Sequence, residues 1–415
     1  MKILILLLLS ITIYIFPQGW AVNGEMPNPV AGGQAFVKGD TIYIMGGYSD
    51  NLNSVVDLIQ AYDPKTNRWS IAGHMKYHRS AFAVGVVSDS IVYFGGIDSL
   101  PYSFVPASME VWNFKSSPYI FKRDTSFSRS FTTSQFVNGN LYTFGGISMN
   151  TNFQYLFGYN FESDNTINTD DSISTPHLSF DQMSAIVGND IYIFGGTSSL
   201  APLRTIYKFN TFDKTLVDTH ADLERTRAGG AAVAIDSVIY LIGGYDQTSP
   251  TAIKGVSKID LRRHEVEEES MPSLNFARKY PMAVNYNGSI YVFGGLDQNG
   301  QVVTQIEKLD AITDIKAQTN TLPSHFELEN NYPNPFNPTT QIAFKVGITA
   351  QVTLDIYSIL GEHIKSVVNI VFSPGEYTYT WNGTDDAGGN VASGVYIYRL
   401  TSGYFTDSKK MLLLK

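Results

Sequence analysis

Arginine recurs at nearly even intervals along this chain, at Arg79, Arg129, Arg227 and Arg278, with Val30 and Ser179 standing at the same place in two further members of the series. A guanidinium is permanently charged and presents its donors as a planar fork. A ring of them can hold carboxylates bidentately, or can tie neighbouring segments together through backbone carbonyls. Two residues after each member come Gly32, Ala81, Phe131, Asp181, Gly229 and Tyr280. Small residues are the rule there, so Phe131, Asp181 and Tyr280 stand out. Aromatic rings beside a carboxylate suit a sugar or peptide ligand; equally, Phe131 and Tyr280 can fill gaps between structural units. These seven, Arg79, Arg129, Arg227, Arg278, Phe131, Asp181 and Tyr280, are the candidate ligand-binding residues. Tyr48, Asp50, Asp98, Tyr102, Phe153, Tyr245, Asp246 and Asp297 add aromatics and acids in segments expected to face them.

Other chemistry finds little footing, and no catalytic residue, metal set or cofactor is expected. The chain has no cysteine, which removes disulfides, thiolate metal sites and a thiol nucleophile. His74 and His78 have metal-ligand spacing, but they precede a strand rather than ride on a helix. Asp385-Asp386 lies in a glycine-rich turn, where turn chemistry alone accounts for acidic residues. No nucleophile elbow, P-loop or dinucleotide fingerprint is present. A net charge of −9 without a basic cluster argues against nucleic acid as a partner.

The elements that carry these residues are set by a repeat. Six apolar runs end in Gly-Gly: IYIMGG at Gly46, IVYFGG at Gly95, LYTFGG at Gly145, IYIFGG at Gly195, IYLIGG at Gly243 and IYVFGG at Gly294, spaced by 49, 50, 50, 48 and 51 residues. Each follows a hairpin-turn pair such as Gly39-Asp40, Asn138-Gly139 or Asn287-Gly288, residue types that tolerate positive φ. Before each turn lies a first strand, as in Ala81–Val87 and Gly229–Ile235. A third strand follows at Leu58–Tyr62, Met109–Trp112, Thr205–Phe209 and Gln305–Leu309, and a fourth is clearest at Trp69. Four antiparallel strands in about 50 residues form one propeller blade, and six blades close a ring. Antiparallel pairing places the start of each first strand and the loop after each Gly-Gly on one face, around the central channel.

The combination of Arg79, the hairpin, Gly95-Gly96, Tyr62 and Trp69 resembles the kelch repeat, over roughly residues 22–318. The late Trp is clear only in the first full unit, and the fourth unit lacks its Arg. The resemblance implies an all-β chain: a six-bladed kelch-like β-propeller over 22–317. Among kelch-like propellers, copper-radical galactose oxidases need a Tyr–Cys crosslink, which a cysteine-free chain cannot make. Sialic-acid mutarotases imply an acid or base with an Arg, for which Asp181 or Glu224 with Arg227 can be assembled on paper. Two segments compete to close the ring. Trp20 and Met26 precede Val30 as Trp69 and Met75 precede Arg79, so the N-terminal end resembles a fourth strand; Ile312–Lys316 is the alternative.

Both ends speak of export. Lys2 precedes an apolar run from Ile3 to Phe16, too short to span a bilayer and of signal-peptide length, with Gly19 and Ala21 at −3 and −1 of a predicted cut. Residues 1–21 are read as a signal peptide, and no stable membrane span is expected. Residues 318–324 read as a linker. From 325 to 415, period-2 strands separated by turns predict a small Ig-like β-sandwich. There NYPNPFNPTTQIAF, VTLDIYSILGE, WNGTDDAGGNVASGVYIYRL and KKMLLLK follow in order and resemble a type IX secretion C-terminal sorting domain. That resemblance implies type IX machinery as a partner of the tail, periplasmic transit, and a secreted or outer-surface protein. The propeller is then expected to bind a glycan or protein ligand on its loop-rich face.

Overall fold

The computed structural model describes residues 19–414 apart from 88, 100–102, 124–128, 138, 148–155, 161–164, 168–179, 199–200, 212, 263–265, 311–325, 347–349, 373–374 and 403–404. Most of the predicted signal peptide, the predicted linker and Ile312–Lys316 lie outside these residues. The chain divides into two compact units, Met1–Thr313 and Asp314–Lys415.

The first unit contains six four-stranded antiparallel sheets, the blades of the propeller. In the first, Gln34–Lys38, Thr41–Met45, Leu58–Asp63 and Arg68–His74 follow one another outward. The innermost strands, from Gln34–Lys38 to Met282–Tyr286, each pack on the next, and the last returns to the first. The predicted third strands are found to within one residue. The first strands begin later than their sequence suggests. Ala83–Val87 and Ala231–Ile235 are strands, whereas Ala81 and Gly229 have φ of 54° and 57° and cannot continue a pleat.

The N-terminal strand closes the ring. Ala21–Glu25 pairs antiparallel with Gln305–Asp310 as the fourth strand of the sixth blade. Trp20, just before it, is buried between the fifth and sixth blades against Tyr240, Leu274, Ile290 and Leu309. Its indole Nε1 donates to the Pro272 carbonyl at 2.9 Å. Asn23 reaches across the seam to the Tyr62 hydroxyl of the first blade at 2.8 Å.

The core of this unit is layered. Six apolar clusters each lie between adjacent blades, such as Phe36, Met45 and Ile59 against Phe82, Tyr93 and Trp112. The middle strands are therefore covered on both faces. This is why Ile91–Phe94 reads as an unbroken apolar run rather than an alternating one.

The second unit is a sandwich. One sheet holds Glu327–Leu328, Thr340–Val346 and Gly375–Trp381; the other holds His363–Phe372, Ala350–Ser358, Gly394–Ser402 and Phe405–Leu413. Period-2 alternation delivers Ile342, Phe344, Leu354, Ile356, Tyr398 and Leu400 to the shared core, with Trp381 and Phe336 at one end. The Tyr398 hydroxyl donates to the Glu329 carbonyl and accepts from Asn331 N–H, at 2.8 and 3.0 Å, fixing the proline-rich segment to the sheet.

Candidate functional site

Two backbone features organise the channel face. First, the residue after each member of the arginine series forms an antiparallel bridge with the residue after Gly-Gly in its own blade: Ala31 with Tyr48, Ser80 with Ile97, Ser130 with Ile147, Phe180 with Thr197, Ala228 with Tyr245 and Lys279 with Leu296. The start of each first strand and the loop after Gly-Gly thus meet on one face, as the antiparallel argument requires.

Second, the series of Gly32, Ala81, Phe131, Asp181, Gly229 and Tyr280 forms a closed circle of backbone hydrogen bonds. Each N–H donates to the carbonyl of the equivalent residue in the preceding blade, at 2.7–3.0 Å, and Gly32 N–H completes the circle on Tyr280. All six have positive φ. Glycine occupies that region freely, whereas a bulky side chain costs about 1–2 kcal/mol. Phe131 at φ 57° and Tyr280 at φ 56° bear that cost. Asp181, at φ 60°, is of a type that visits the region more readily. Strain of this kind is a pointer toward function.

Phe131, Asp181 and Tyr280 are the third, fourth and sixth members of this circle, and their side chains meet across it. Asp181 is 7% exposed. Its Oδ2 accepts from the Tyr280 hydroxyl and the Tyr245 hydroxyl, each at 2.7 Å. Because Tyr245 spends its one proton on Asp181, it is Thr197 Oγ1, 2.7 Å away, that donates to Tyr245. Lys279 Nζ lies 4.4 Å from the centre of the Tyr245 ring and 5.0 Å from that of Tyr280. The Phe131 and Tyr280 rings are 6.3 Å apart. Three consecutive blades thus converge on one carboxylate, with Phe131 of the blade before them against the Tyr280 ring. Burial pushes the Asp181 carboxyl above its ordinary range, opposed by the two phenols and Lys279. Burial pulls Lys279 down, opposed by Asp181. Burial and then the carboxylate push the Tyr245 phenol up.

Phe131, Asp181, Lys279 and Tyr280 border a cavity of about 730 Å³ that runs between the innermost strands. Such a volume lies within the range of small-molecule sites. Asp181 and Lys279 are the only charged side chains among the described residues that line it; Gln34, Gln135, Gln182, Thr132, Ser134 and Ser184 provide neutral polar groups.

The four arginines lie elsewhere. Arg79 is fully buried in its blade, donates to the Gly95 carbonyl, and pairs with Glu110 at 2.5 Å. Arg278 donates to the Gly294 and Gln305 carbonyls, each at 2.7 Å, and pairs with Glu307 at 2.9 Å. Arg227 donates to the Leu241 carbonyl at 2.9 Å and lies 3.8 Å from Glu268. Arg129 sits over the Phe157 ring at 5.1 Å. None borders the cavity. Their backbone carbonyls receive the second glycine of the preceding blade: Gly47, Gly96, Gly196 and Gly244 N–H bond Arg79, Arg129, Arg227 and Arg278 at 2.7–2.9 Å. The arginine series therefore ties blade to blade.

The facing loops divide similarly. Asp50, Asp246 and Asp297 accept backbone N–H groups within loops or between them, at 2.6–2.9 Å. Tyr102 and Phe153 lie outside the described residues. Tyr245, one of many loop aromatics in the sequence, proves central to the Asp181 cluster. Lys279 went unnoticed; its only sequence signal is that it directly precedes Tyr280. Glu110 and Glu307 were also missed, their clue being a lone acid inside an apolar third strand. Among the described residues no group of His and acidic side chains could hold a metal. No helix of the described residues is long and apolar enough to cross a membrane.

Residues 31–76, the first blade and the chain leading into the second, match the Kelch motif, and residues 332–404 match the FlgD Ig-like domain. Over 257 residues the chain is 24% identical to Kelch repeat and BTB domain-containing protein 1 of Camelpox virus, covering 59% of this chain and 43% of that protein. It is 26% identical over 98 residues to Kelch-like protein 35 of Mus musculus, covering 23% and 17%. It is 43% identical over 56 residues to Kelch-like protein 21 of Homo sapiens, covering 14% and 9%. The chain thus spans less than half the length of these relatives. The Kelch motif match falls in the first of six sheets that close a ring, so these comparisons support a kelch-repeat propeller, and the C-terminal unit is similar to an Ig-like domain.

Proposed function

We propose that this protein is a secreted or cell-surface binding module, exported by the type IX secretion system, that recognises a glycan or protein ligand on the channel face of its propeller. Kelch repeats suggest an interaction module. The observation that carries the choice of face is the Asp181 cluster: a buried carboxylate, two phenols and a lysine held at a cavity by residues in a costly backbone conformation.

The export reading rests on the signal-peptide pattern and on the ordered motifs of the tail, to which the Ig-like sandwich adds a compatible fold. The closed ring bears on maturation. A cut after Ala21 would remove Trp20 from between the fifth and sixth blades and Ala21 from the closing strand. Processing upstream of Gly19 keeps both. The sugar-mutarotase alternative needs Arg227 beside Asp181 or Glu224. Arg227 instead bonds within its own blade, and Glu224 is exposed.

The test is a glycan array together with a sugar anomerisation assay on the full chain, followed by affinity capture from culture. Saturable binding without turnover, weakened in Asp181→Asn, supports the binding module. Accelerated anomerisation lost in the same variant would replace it with an enzyme.

A further inference from the structure

The same cluster restricts the ligand's chemistry. Asp181 Oδ2 already takes two phenolic protons. Two phenol donors on one oxygen favour the ionised form, in which Oδ1 is an acceptor as well. Among the described residues Oδ1 takes no hydrogen bond, and Asp181 lines the cavity. Two amides lean the same way. Gln34 Nε2 donates to the Phe82 carbonyl at 2.6 Å, and Gln135 Nε2 to the Ser184 carbonyl at 2.9 Å. Their Oε1 atoms have no donor among the described residues, and both residues line the cavity. The lining therefore offers acceptors and calls for a ligand rich in O–H or N–H donors.

Charge then separates the ligand classes. A cationic side chain approaching Asp181 meets Lys279, already placed over the rings of the two tyrosines that bond that carboxylate. An acidic sugar or phosphate drawn to Lys279 meets Asp181 and the amide oxygens. With one charge of each sign at the cluster and neutral polar groups elsewhere, the cavity favours a ligand without net charge. Phe131 supplies an apolar ring at the same wall for the C–H face of such a ligand.

We infer that the propeller cavity takes a neutral saccharide, whose hydroxyls donate to Asp181 Oδ1 and to the glutamine oxygens while its apolar face lies on Phe131. This rests on the binding-module reading and narrows it.

The experiment is calorimetric titration of the full chain with three probe sets: neutral oligosaccharides, oligosaccharides bearing uronate or sialate, and an oligolysine peptide. Each is repeated on Asp181→Asn and Tyr280→Phe, with the fold of each variant checked by circular dichroism. Tyr280→Phe keeps the ring and removes one hydroxyl from Asp181, so it remains informative if Asp181→Asn folds poorly. Neutral saccharides are expected to bind. Affinity should fall roughly ten- to a hundredfold in Asp181→Asn, the ratio carried by a hydrogen bond to a charged group, and less in Tyr280→Phe. Binding of the acidic or cationic probes instead, sensitive to the same variants, would overturn the neutral-saccharide assignment while leaving a binding module in place. Binding to none of the probes would overturn it also. Turnover of a bound sugar would instead overturn the module reading itself.

Discussion

Asp181 sits where folding would prefer something else. Its carboxyl is nearly enclosed, and burial raises its pKa above the ordinary 3.8 despite two phenol donors and a neighbouring lysine. A raised pKa means that the folded state binds the proton more readily than the unfolded chain. The contribution of this group to stability is therefore fully present below about pH 3.8 and is lost as pH rises through the folded-state pKa. The ionised form is the one that burial penalises. Asn keeps the shape, tolerates φ near 60° and carries no charge. Asp181→Asn is thus expected to unfold at pH 7 within about 1 kcal/mol of the parent, or to be more stable, while losing ligand affinity. Thermal melts of both proteins at pH 4 and pH 7 check this; a large loss of stability confined to pH 7 would contradict it. Arg79 and Glu110 are the opposite case, since both are fully buried and each is the other's partner. Removing one leaves an uncompensated charge, and Glu110→Ala is expected to cost about 3–5 kcal/mol in urea unfolding.

At the scale of the element, Gly-Gly is where one blade approaches the next. A Cβ built on Gly243 would stand 2.6 Å from the Arg278 carbonyl oxygen of the following blade, with φ at 60°. Gly188 has nearly the same φ, 62°, in an open hairpin turn with nothing within 4 Å of its Cβ position. The two positions separate backbone preference from crowding. Gly188→Ala is expected to cost about 1 kcal/mol, the penalty for positive φ alone. Gly243→Ala adds a backbone clash at a blade junction and is expected to cost about 3 kcal/mol or more. Equal costs in urea unfolding would mean that close approach does not select glycine there.

The whole molecule consists of two units with separate cores, one layered between blades and one between two sheets. Each has its own apolar interior, so removal of the second should leave the first folded. Deleting Phe326–Lys415 is expected to preserve the circular dichroism and melting of the propeller while the protein accumulates in the periplasm of a host with type IX secretion. Normal release of that shortened protein would refute the sorting role of the tail.

Much of this was legible in the residues themselves. Six Gly-Gly runs at intervals near 50 residues require six repeated hairpins, because only chain local to each repeat sets its turn and strand pattern. The period-2 strands of the tail were legible for the same reason, and Phe131, Asp181 and Tyr280 showed themselves by departing from a column of small residues. Contacts between repeats were beyond the reach of such patterns. That Ala21–Glu25 pairs with Gln305–Asp310, that Arg79 turns inward to Glu110, and that Tyr245 and Lys279 gather on Asp181 join residues of different repeats or strands across 31–287 positions of chain. A local pattern records which face of a strand is apolar and where a turn falls. Which side chains share a cavity follows from the closing of the ring, and so only the tertiary structure decided it.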